Sequence, residues 1–160
     1  AVLGFRSLEP REGGIYEKEF WRHERLWKLF TTPPLPGTPW QNLLWRLAGL
    51  RVGRRLFDDG CVIPEKSLVT LGDDVVLNAD TVLQGHSLED GVFTSDRIVV
   101  GSRSCLGVGA FVHHGTTIGE GSVLEADSFL MKGEQVPAGS TWRGNPAAPW
   151  RTAGTGTVPS

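Results

Sequence analysis

The chain has 160 residues, with 16 lysines and arginines against 18 aspartates and glutamates and a net charge of −2. This length suits one well-filled domain, and the near-neutral balance without a basic run argues against a nucleic-acid surface. No apolar stretch is long enough to span a membrane, so we expect that the chain does not cross one by itself. The two cysteines, Cys61 and Cys105, lack metal-like spacing, which predicts reduced thiols in a reducing, cytoplasmic compartment.

Residues 1–56 are predicted to form a helical connector and cap. The sequence YEKEFWRHERLWKLF at 16–30 has its aromatic residues at helical spacing and predicts an amphipathic helix. The prolines of 31–39 cannot continue that helix and indicate a linker. Thr38 followed by proline is typical of a helix start, so a second helix is expected over 40–50. We expect this second helix to cover the open end of the following domain.

Residues 57–150 carry a repeat of six residues, in which large apolar positions are often followed by glycine. This period fits neither an amphipathic helix nor a simply alternating strand. It fits a solenoid in which each hexad forms one flat side of a coil, so we predict an all-β solenoid, a parallel β-helix. Residues 151–160 are predicted to be a disordered tail. The in-phase positions are Val100, Leu106, Val112, Ile118, Leu124, Leu130, Val136 and Trp142.

The repeat also runs upstream, in a different phase. Leu71, Leu77 and Leu83 are six residues apart and begin regular hexads. The first side chains of the stack are expected from a less regular stretch, which contains Phe57, Ile63 and Val69. The register is lost between Leu83 and Val100, within the sequence HSLEDGVFTSDR. A loop that leaves the solenoid at such a point commonly carries function. A slip accommodated by a bulge is the alternative on geometry alone.

His86 stands at the loss of register, followed by Glu89, Asp90 and Asp96. An imidazole near its ordinary pKa of about 6.5 can accept a proton at neutral pH and return it. A nearby carboxylate can fix the tautomer of such a base and stabilise its charged form. The alternative is an exposed loop histidine without a catalytic role.

His113 and His114 are adjacent, so on an extended segment their side chains are expected to point to opposite faces. At most one of them could then share a site with another group. Because this pair is contiguous and no other cluster of cysteines and histidines occurs in the sequence, we expect no metal site.

Residues 98–146 resemble the hexapeptide-repeat acyltransferases, including their closing VPAGS…GNPA signature. The resemblance implies a left-handed β-helix, a trimer with its active site in the cleft between neighbouring solenoids, and His86 of GHSLEDG as the general base. It also implies that Asn78 of LNAD touches the acceptor and that Lys132 contacts coenzyme A phosphate. The residues that match the wall for the pantetheine arm are Gly107, Gly109, Ala110 and Ala126.

A narrower resemblance covers residues 10–150. The segments FDDG, LNAD, QGHSLEDGVFTSD, LGVGAFVHHG and DSFLMKGEQVP are similar to the repeated C-terminal domains of ε-poly-lysine synthetase-type nonribosomal peptide synthetases. The resemblance implies a condensation-type domain that joins a carrier-bound aminoacyl thioester to an amine and forms an amide bond. It needs no cofactor of its own, only the phosphopantetheine arm of the carrier.

The same resemblance implies partners and a location. The partners would be a carrier (thiolation) domain, sister domains of the same kind, and an amino-acid or oligopeptide substrate. The assembly would be a homotrimer or pseudo-trimer, on the cytoplasmic face of a membrane-anchored synthetase.

These resemblances imply a mechanism and leave alternatives open. His86 would accept the proton of the attacking amine, and backbone N–H groups or Asn78 would donate to the developing oxyanion. Glu89, Asp90 and Asp96 either orient His86 or attract a cationic acceptor. The alternative functions are an acetyltransferase that uses soluble coenzyme A, and a catalytically silent module that trimerises the synthetase.

Overall fold

The computed structural model describes residues 9–18, 20–21 and 35–150. The predicted helix over 16–30 lies largely outside the described residues, and the predicted tail over 151–160 lies wholly outside them. The part that is described contains the complete repeat region.

The hexads form a left-handed parallel β-helix, as predicted. Each coil crosses three flat faces, so successive coils stack strand on strand. The first face contains β2 (Arg51–Val52), β4 (Val69–Leu71), β9 (Ile98–Val100), β12 (Thr117–Ile118) and β15 (Gln135–Val136). The second contains β3 (Phe57–Asp58), β5 (Val76–Leu77), β10 (Cys105–Leu106), β13 (Val123–Leu124), β16 (Thr141–Arg143) and the antiparallel β17 (Ala148–Trp150). The third contains β6 (Val82–Gln84), β11 (Phe111–His113) and β14 (Phe129–Leu130).

The apolar hexad positions point inward and form one continuous core. Equivalent positions of consecutive coils lie three hexads apart, as where Ile118 pairs with Val100 below it and Val136 above it. Each fully buried Leu, Ile or Val contributes about 1.5–3 kcal/mol through burial. The corners need close backbone approach: a Cβ on Gly107 would lie 2.5 Å from the backbone nitrogen of Ala126 in the next coil. The repeat of an inward apolar residue followed by glycine therefore suits this stacking.

The start of the stack differs from the prediction at Phe57. This side chain is 49% exposed, whereas its neighbour Leu56 is buried. Asp58 occupies the inward position and pairs in register with Leu77. Its carboxylate accepts the backbone N–H groups of Gly60 and Cys61, because the end of a solenoid leaves loop amides that a polar side chain can satisfy.

A helix covers this end of the stack, as predicted. Helix α1 (Pro39–Leu47) begins after Thr38, and Trp45 on its inner face is buried in the core cluster together with Leu50. The parallel stack itself begins at Arg51, upstream of the expected boundary at residue 57. A short 3₁₀ helix (Lys66–Leu68) follows the first coil.

The loss of register corresponds to a β-hairpin that leaves the stack, not to a bulge. It consists of β7 (His86–Glu89) and β8 (Val92–Ser95), which pair antiparallel. Across this insertion the stack keeps its order, since Leu71 pairs with Val100 and Leu83 pairs with Val112. An N-terminal strand, β1 (Arg11–Gly14), pairs antiparallel with β8 and makes the hairpin a three-stranded sheet.

Candidate active site

His86 is the first residue of the hairpin, where the chain leaves the third face of the solenoid. Its Nδ1 lies 2.6 Å from Oε1 of Glu65, whose side chain is completely buried. The second oxygen of Glu65 accepts the backbone N–H of Gly85 at 3.0 Å. A buried carboxylate is costly unless its oxygens are bonded, and here both are. The contacts hold Glu65 in one orientation against the imidazole.

The Glu65–His86 pair has the geometry of a general base and its orienting acid. A carboxylate that accepts from Nδ1–H selects the tautomer in which Nε2 carries the basic lone pair. The His86 side chain is 20% exposed, so part of the ring can be reached from outside. Its plane stacks on Phe93 of β8, with ring centroids 5.4 Å apart.

Glu65 did not emerge from the sequence, although the coil stacking contains a signal for it. Val62 pairs with Val82 one coil later, so the residues three positions further on, Glu65 and Gly85, are stacked neighbours. An acidic residue one coil before a candidate base is therefore worth testing in any solenoid. That inference needs the register of pairing, which the irregular first hexads conceal.

The three carboxylates expected near His86 have other positions. Glu89 lies three residues along β7 and so projects from the opposite face of the strand, where its carboxylate bonds the ammonium of Lys132. Asp90 is at the hairpin turn with a positive φ of 49°. Asp96 accepts the backbone N–H of Arg97 at 2.7 Å. The carboxylate on Nδ1 is thus that of Glu65 and not one of these three.

The second face of β7 contacts His114, whose ring lies against that of His113. His114 Nε2 lies 3.1 Å from the hydroxyl oxygen of Ser87, and the His114 backbone N–H donates to His113 Nδ1 at 3.0 Å. The expectation that these rings point to opposite faces is wrong: their centroids are 4.8 Å apart. Strand β11 ends at His113 and the chain turns a corner at His114, so strand alternation does not apply between them.

Burial disfavours the charged form of both histidines. Burial lowers the pKa of His113 to about 4, with smaller contributions from His114 and the Lys132 ammonium. Burial also lowers the pKa of His114. The hydrogen bond from Lys132 holds the pKa of the Glu89 carboxyl below its usual range.

The other predicted residues belong to the coil stack. The Asn78 amide donates to the carbonyl of Leu106 at 2.7 Å in the next coil. Gly109 adopts a positive φ of 67° at a corner, and the Ala110 methyl is fully buried in the core. Ala126 is exposed, stacked against Gly107.

Among the residues that the structure describes, no group of three His, Cys, Asp or Glu side chains is arranged to hold a metal ion. Over the same residues, the helices are too short or too polar to span a bilayer.

The architecture matches solved structures over most of the chain. The hexapeptide-repeat containing acetyltransferase VCA0836 of Vibrio cholerae, complexed with acetyl coenzyme A, has a TM-score of 0.64. The match covers 86% of this chain and 90% of that chain, with 21% sequence identity. The chain has the fold of the hexapeptide-repeat acetyltransferases. No family model matches the sequence of this hexapeptide-repeat protein.

Curated proteins that are similar to this chain in sequence include a poly-ornithine synthetase and a putative acetyltransferase. The Delta-poly-L-ornithine synthetase of Acinetobacter baumannii is 28% identical over 149 residues, which are 89% of this chain. The chain spans only 11% of that protein's length. The putative colanic acid biosynthesis acetyltransferase WcaF of Escherichia coli is 28% identical over 134 residues, covering 68% of this chain and 72% of that protein. Of these three proteins, VCA0836 is named as an acetyltransferase and WcaF as a putative one.

Proposed function

We propose that the chain is an acyltransferase domain of a peptide synthetase, which transfers a carrier-bound aminoacyl group from its thioester to an amine and forms an amide bond. The observation that carries this proposal is the Glu65–His86 pair at the base of the hairpin. It is the described pair in which a buried carboxylate orients a partly exposed imidazole. The similarity to the poly-ornithine synthetase supports the choice of an aminoacyl donor.

In the proposed reaction the amine nitrogen attacks the thioester carbonyl and the carbon–sulfur bond breaks. His86 Nε2 accepts the proton that the amine loses, and Glu65 stabilises the resulting imidazolium. The imidazolium then returns that proton to the departing thiolate of the phosphopantetheine arm. Atoms and charges balance, because one N–H and one C–S bond are exchanged for one C–N and one S–H bond.

The remaining parts of the proposal follow from the resemblance. A neighbouring copy or sister domain would present the wall for the phosphopantetheine arm, formed by the corner residues Gly107, Gly109 and Ala126, with Ala110 buried behind them in the core. Asn78 or backbone N–H groups would stabilise the oxyanion. Residues 1–56, of which Arg51 and Val52 already pair with the stack, would connect and cap the transferase domain of 57–150. The assembly would be a trimer or pseudo-trimer with a carrier domain as partner, within a membrane-anchored synthetase.

A second candidate is an acetyltransferase that uses soluble coenzyme A. The match to a structure complexed with acetyl coenzyme A favours it, as does the similarity to WcaF. Coenzyme A carries nucleotide phosphates that need cations. Lys132 is bonded to Glu89, and the Arg143 guanidinium lies 3.5 Å from the ring centroid of Trp150. Both contacts lie at the surface, where such pairs are weak, so these two cations would be the phosphate ligands of a soluble coenzyme A.

The donor is identified by offering the purified chain two kinds of thioester with a panel of amines. One donor is a phosphopantetheinylated carrier protein loaded with lysine or ornithine, and the other is acetyl coenzyme A. Thiol release and the mass of the amide product are measured. We expect amide formation from the loaded carrier. Turnover of acetyl coenzyme A alone would identify the second candidate, and no turnover of any donor would leave a scaffold role and refute the proposal.

The base is tested by replacing His86 with alanine. A general base contributes about 10²–10⁴ in rate, so kcat should fall by that factor. The matched control is Glu120→Gln, an exposed residue paired with Arg103 on another part of the solenoid. Full activity of the His86→Ala variant would refute the assignment of the base.

A further inference from the structure

The hairpin that carries His86 needs contacts from outside its two strands to be stable. It projects from the solenoid as two antiparallel strands of four residues each, and an isolated two-stranded hairpin is marginally stable in water. The β1 strand supplies a third strand, although β1 lies more than seventy residues earlier in the sequence. This N-terminal segment is not part of the hexapeptide stack.

Contacts at both ends of the hairpin join it to the N-terminal segment. At its base, the Arg11 backbone N–H donates to the hydroxyl oxygen of Ser95 at 3.1 Å. At its turn, the Ile15 backbone N–H donates to the carbonyl of Gly91 at 3.0 Å. A salt bridge of 3.0 Å between Glu9 and Arg97 adds to the contacts at the base. The segment is therefore attached along the whole length of β8.

Aromatic packing continues from this segment to the imidazole. Phe20 lies edge-on against Phe93, with ring centroids 5.3 Å apart, and Phe93 stacks on His86 at 5.4 Å. Strand pairing places Phe93 and His86 on the same side of the hairpin, since β7 and β8 pair with Leu88 opposite Phe93 and Ser95 opposite His86. Phe93 is 3% exposed, yet it does not belong to the solenoid core. Its burial comes from its neighbours around the hairpin, Phe20 among them.

We propose that residues 9–18 and 20–21 are a positioning element of the active site: β1 and Phe20 hold Phe93, and through it the His86 ring, in contact with Glu65. This inference rests on the proposed role of His86 and adds to it a segment outside the repeat. A displacement of about 1 Å in a catalytic group can cost about 10²-fold in rate. The segment therefore governs kcat without contacting the reacting atoms.

The first test is Phe20→Ala in the full chain. We expect kcat to fall about 10-fold to 10²-fold with KM unchanged, and Phe20→Leu to restore part of the loss because it refills the contact with Phe93. The control is Tyr16→Ala, an aromatic residue of the same segment that is 89% exposed. The ¹⁵N signals of the His86 ring should shift in Phe20→Ala and stay in place in Tyr16→Ala.

A second pair of variants tests β1 through its backbone. The N–H groups of Arg11 and Ile15 point toward the hairpin, so by strand alternation that of Gly13 does too. The Gly14 N–H instead donates to Glu17 within the segment, which puts the Glu12 N–H on the outer side. Gly13→Pro should therefore detach β1 and reduce kcat as Phe20→Ala does, whereas Glu12→Pro should not.

The outcomes separate this inference from the proposed function. Loss of kcat and shifted ring signals in Phe20→Ala and Gly13→Pro, with both controls unchanged, would support the positioning role. Unchanged kcat and ring signals in both variants would overturn it, even if His86→Ala abolishes activity. If instead His86→Ala retains full turnover while the ring signals respond to Phe20→Ala, the positioning of the ring stands and the proposed function fails.

Discussion

Glu65→Gln is the substitution that tests the site most directly, because it keeps the shape of the side chain and removes its charge. Glu65 accepts two N–H groups, one from His86 Nδ1 and one from Gly85. A glutamine has one carbonyl oxygen and one NH₂ group. It can accept one of these two N–H groups, and its own NH₂ must then face the other at about hydrogen-bond distance.

The magnitude follows from this mismatch. A buried donor that loses its partner costs about 1–3 kcal/mol, so the free energy of unfolding should fall by that amount. The amide also cannot stabilise the imidazolium as the carboxylate does. The loss in kcat should be about 10²-fold, equivalent to about 2.7 kcal/mol, and no greater than the 10²–10⁴ that a general base supplies.

The assay measures kcat with the loaded carrier and follows the His86 ring by NMR as a function of pH. Without the adjacent negative charge the imidazolium is less favourable, so the titration midpoint of the His86 ring should fall to a lower pH. Glu120→Gln removes an exposed carboxylate and serves as the control. Unchanged kcat together with an unchanged titration midpoint in Glu65→Gln would refute the orienting role of Glu65.

Three further predictions concern stability. Leu124→Ala, at a fully buried core position, should cost about 2–5 kcal/mol in urea unfolding, and a loss below 1 kcal/mol would contradict the continuous core. Burial lowers the pKa of His113 to about 4, whereas an unfolded histidine has a pKa of about 6.5. Between these two pH values the unfolded state binds more protons, so the free energy of unfolding should fall as the pH drops through this window. His113→Gln should flatten this pH dependence. Gly107→Ala should destabilise the protein strongly, because its Cβ would lie 2.5 Å from the Ala126 backbone. Gly121→Asn should have a mild effect, because Gly121 faces open space at a positive φ that asparagine tolerates. Equal melting temperatures of the two variants would contradict the close backbone approach at Gly107.

The repeat region was predictable because each hexad by itself shows which of its residues points into the core. This holds for each inward position from Val100 to Trp142, and stacking places the same kind of residue above and below. The structure differs from the prediction at positions where a strand ends or where the regular repeat has not yet begun. Phe57 has the spacing of a core residue, but the chain enters the first coil with Leu56 and Asp58 inward. His113 and His114 sit at a strand end, where alternation no longer applies.

The candidate site divides in the same way. His86 could be found from the loss of register, since an insertion in a strictly periodic chain is visible without any structure. Its partner Glu65 could not, because the pairing of Val62 with Val82 that stacks the two coils is an isolated bridge outside the regular hexads. Glu89, Asp90 and Asp96 are near His86 in sequence and had two possible roles, and none of them is the carboxylate that contacts His86 Nδ1.

From its amino acids alone this protein could be recognised as a stacked coil with an outlying loop and a histidine at the loop's root. Periodicity suffices for that, because hexads bury the same kind of side chain in every turn. Folding in three dimensions decided which acid meets the imidazole and that a distant N-terminal strand supports the hairpin. Those contacts join residues from separate coils and segments, and no local pattern encodes how such segments are brought into register.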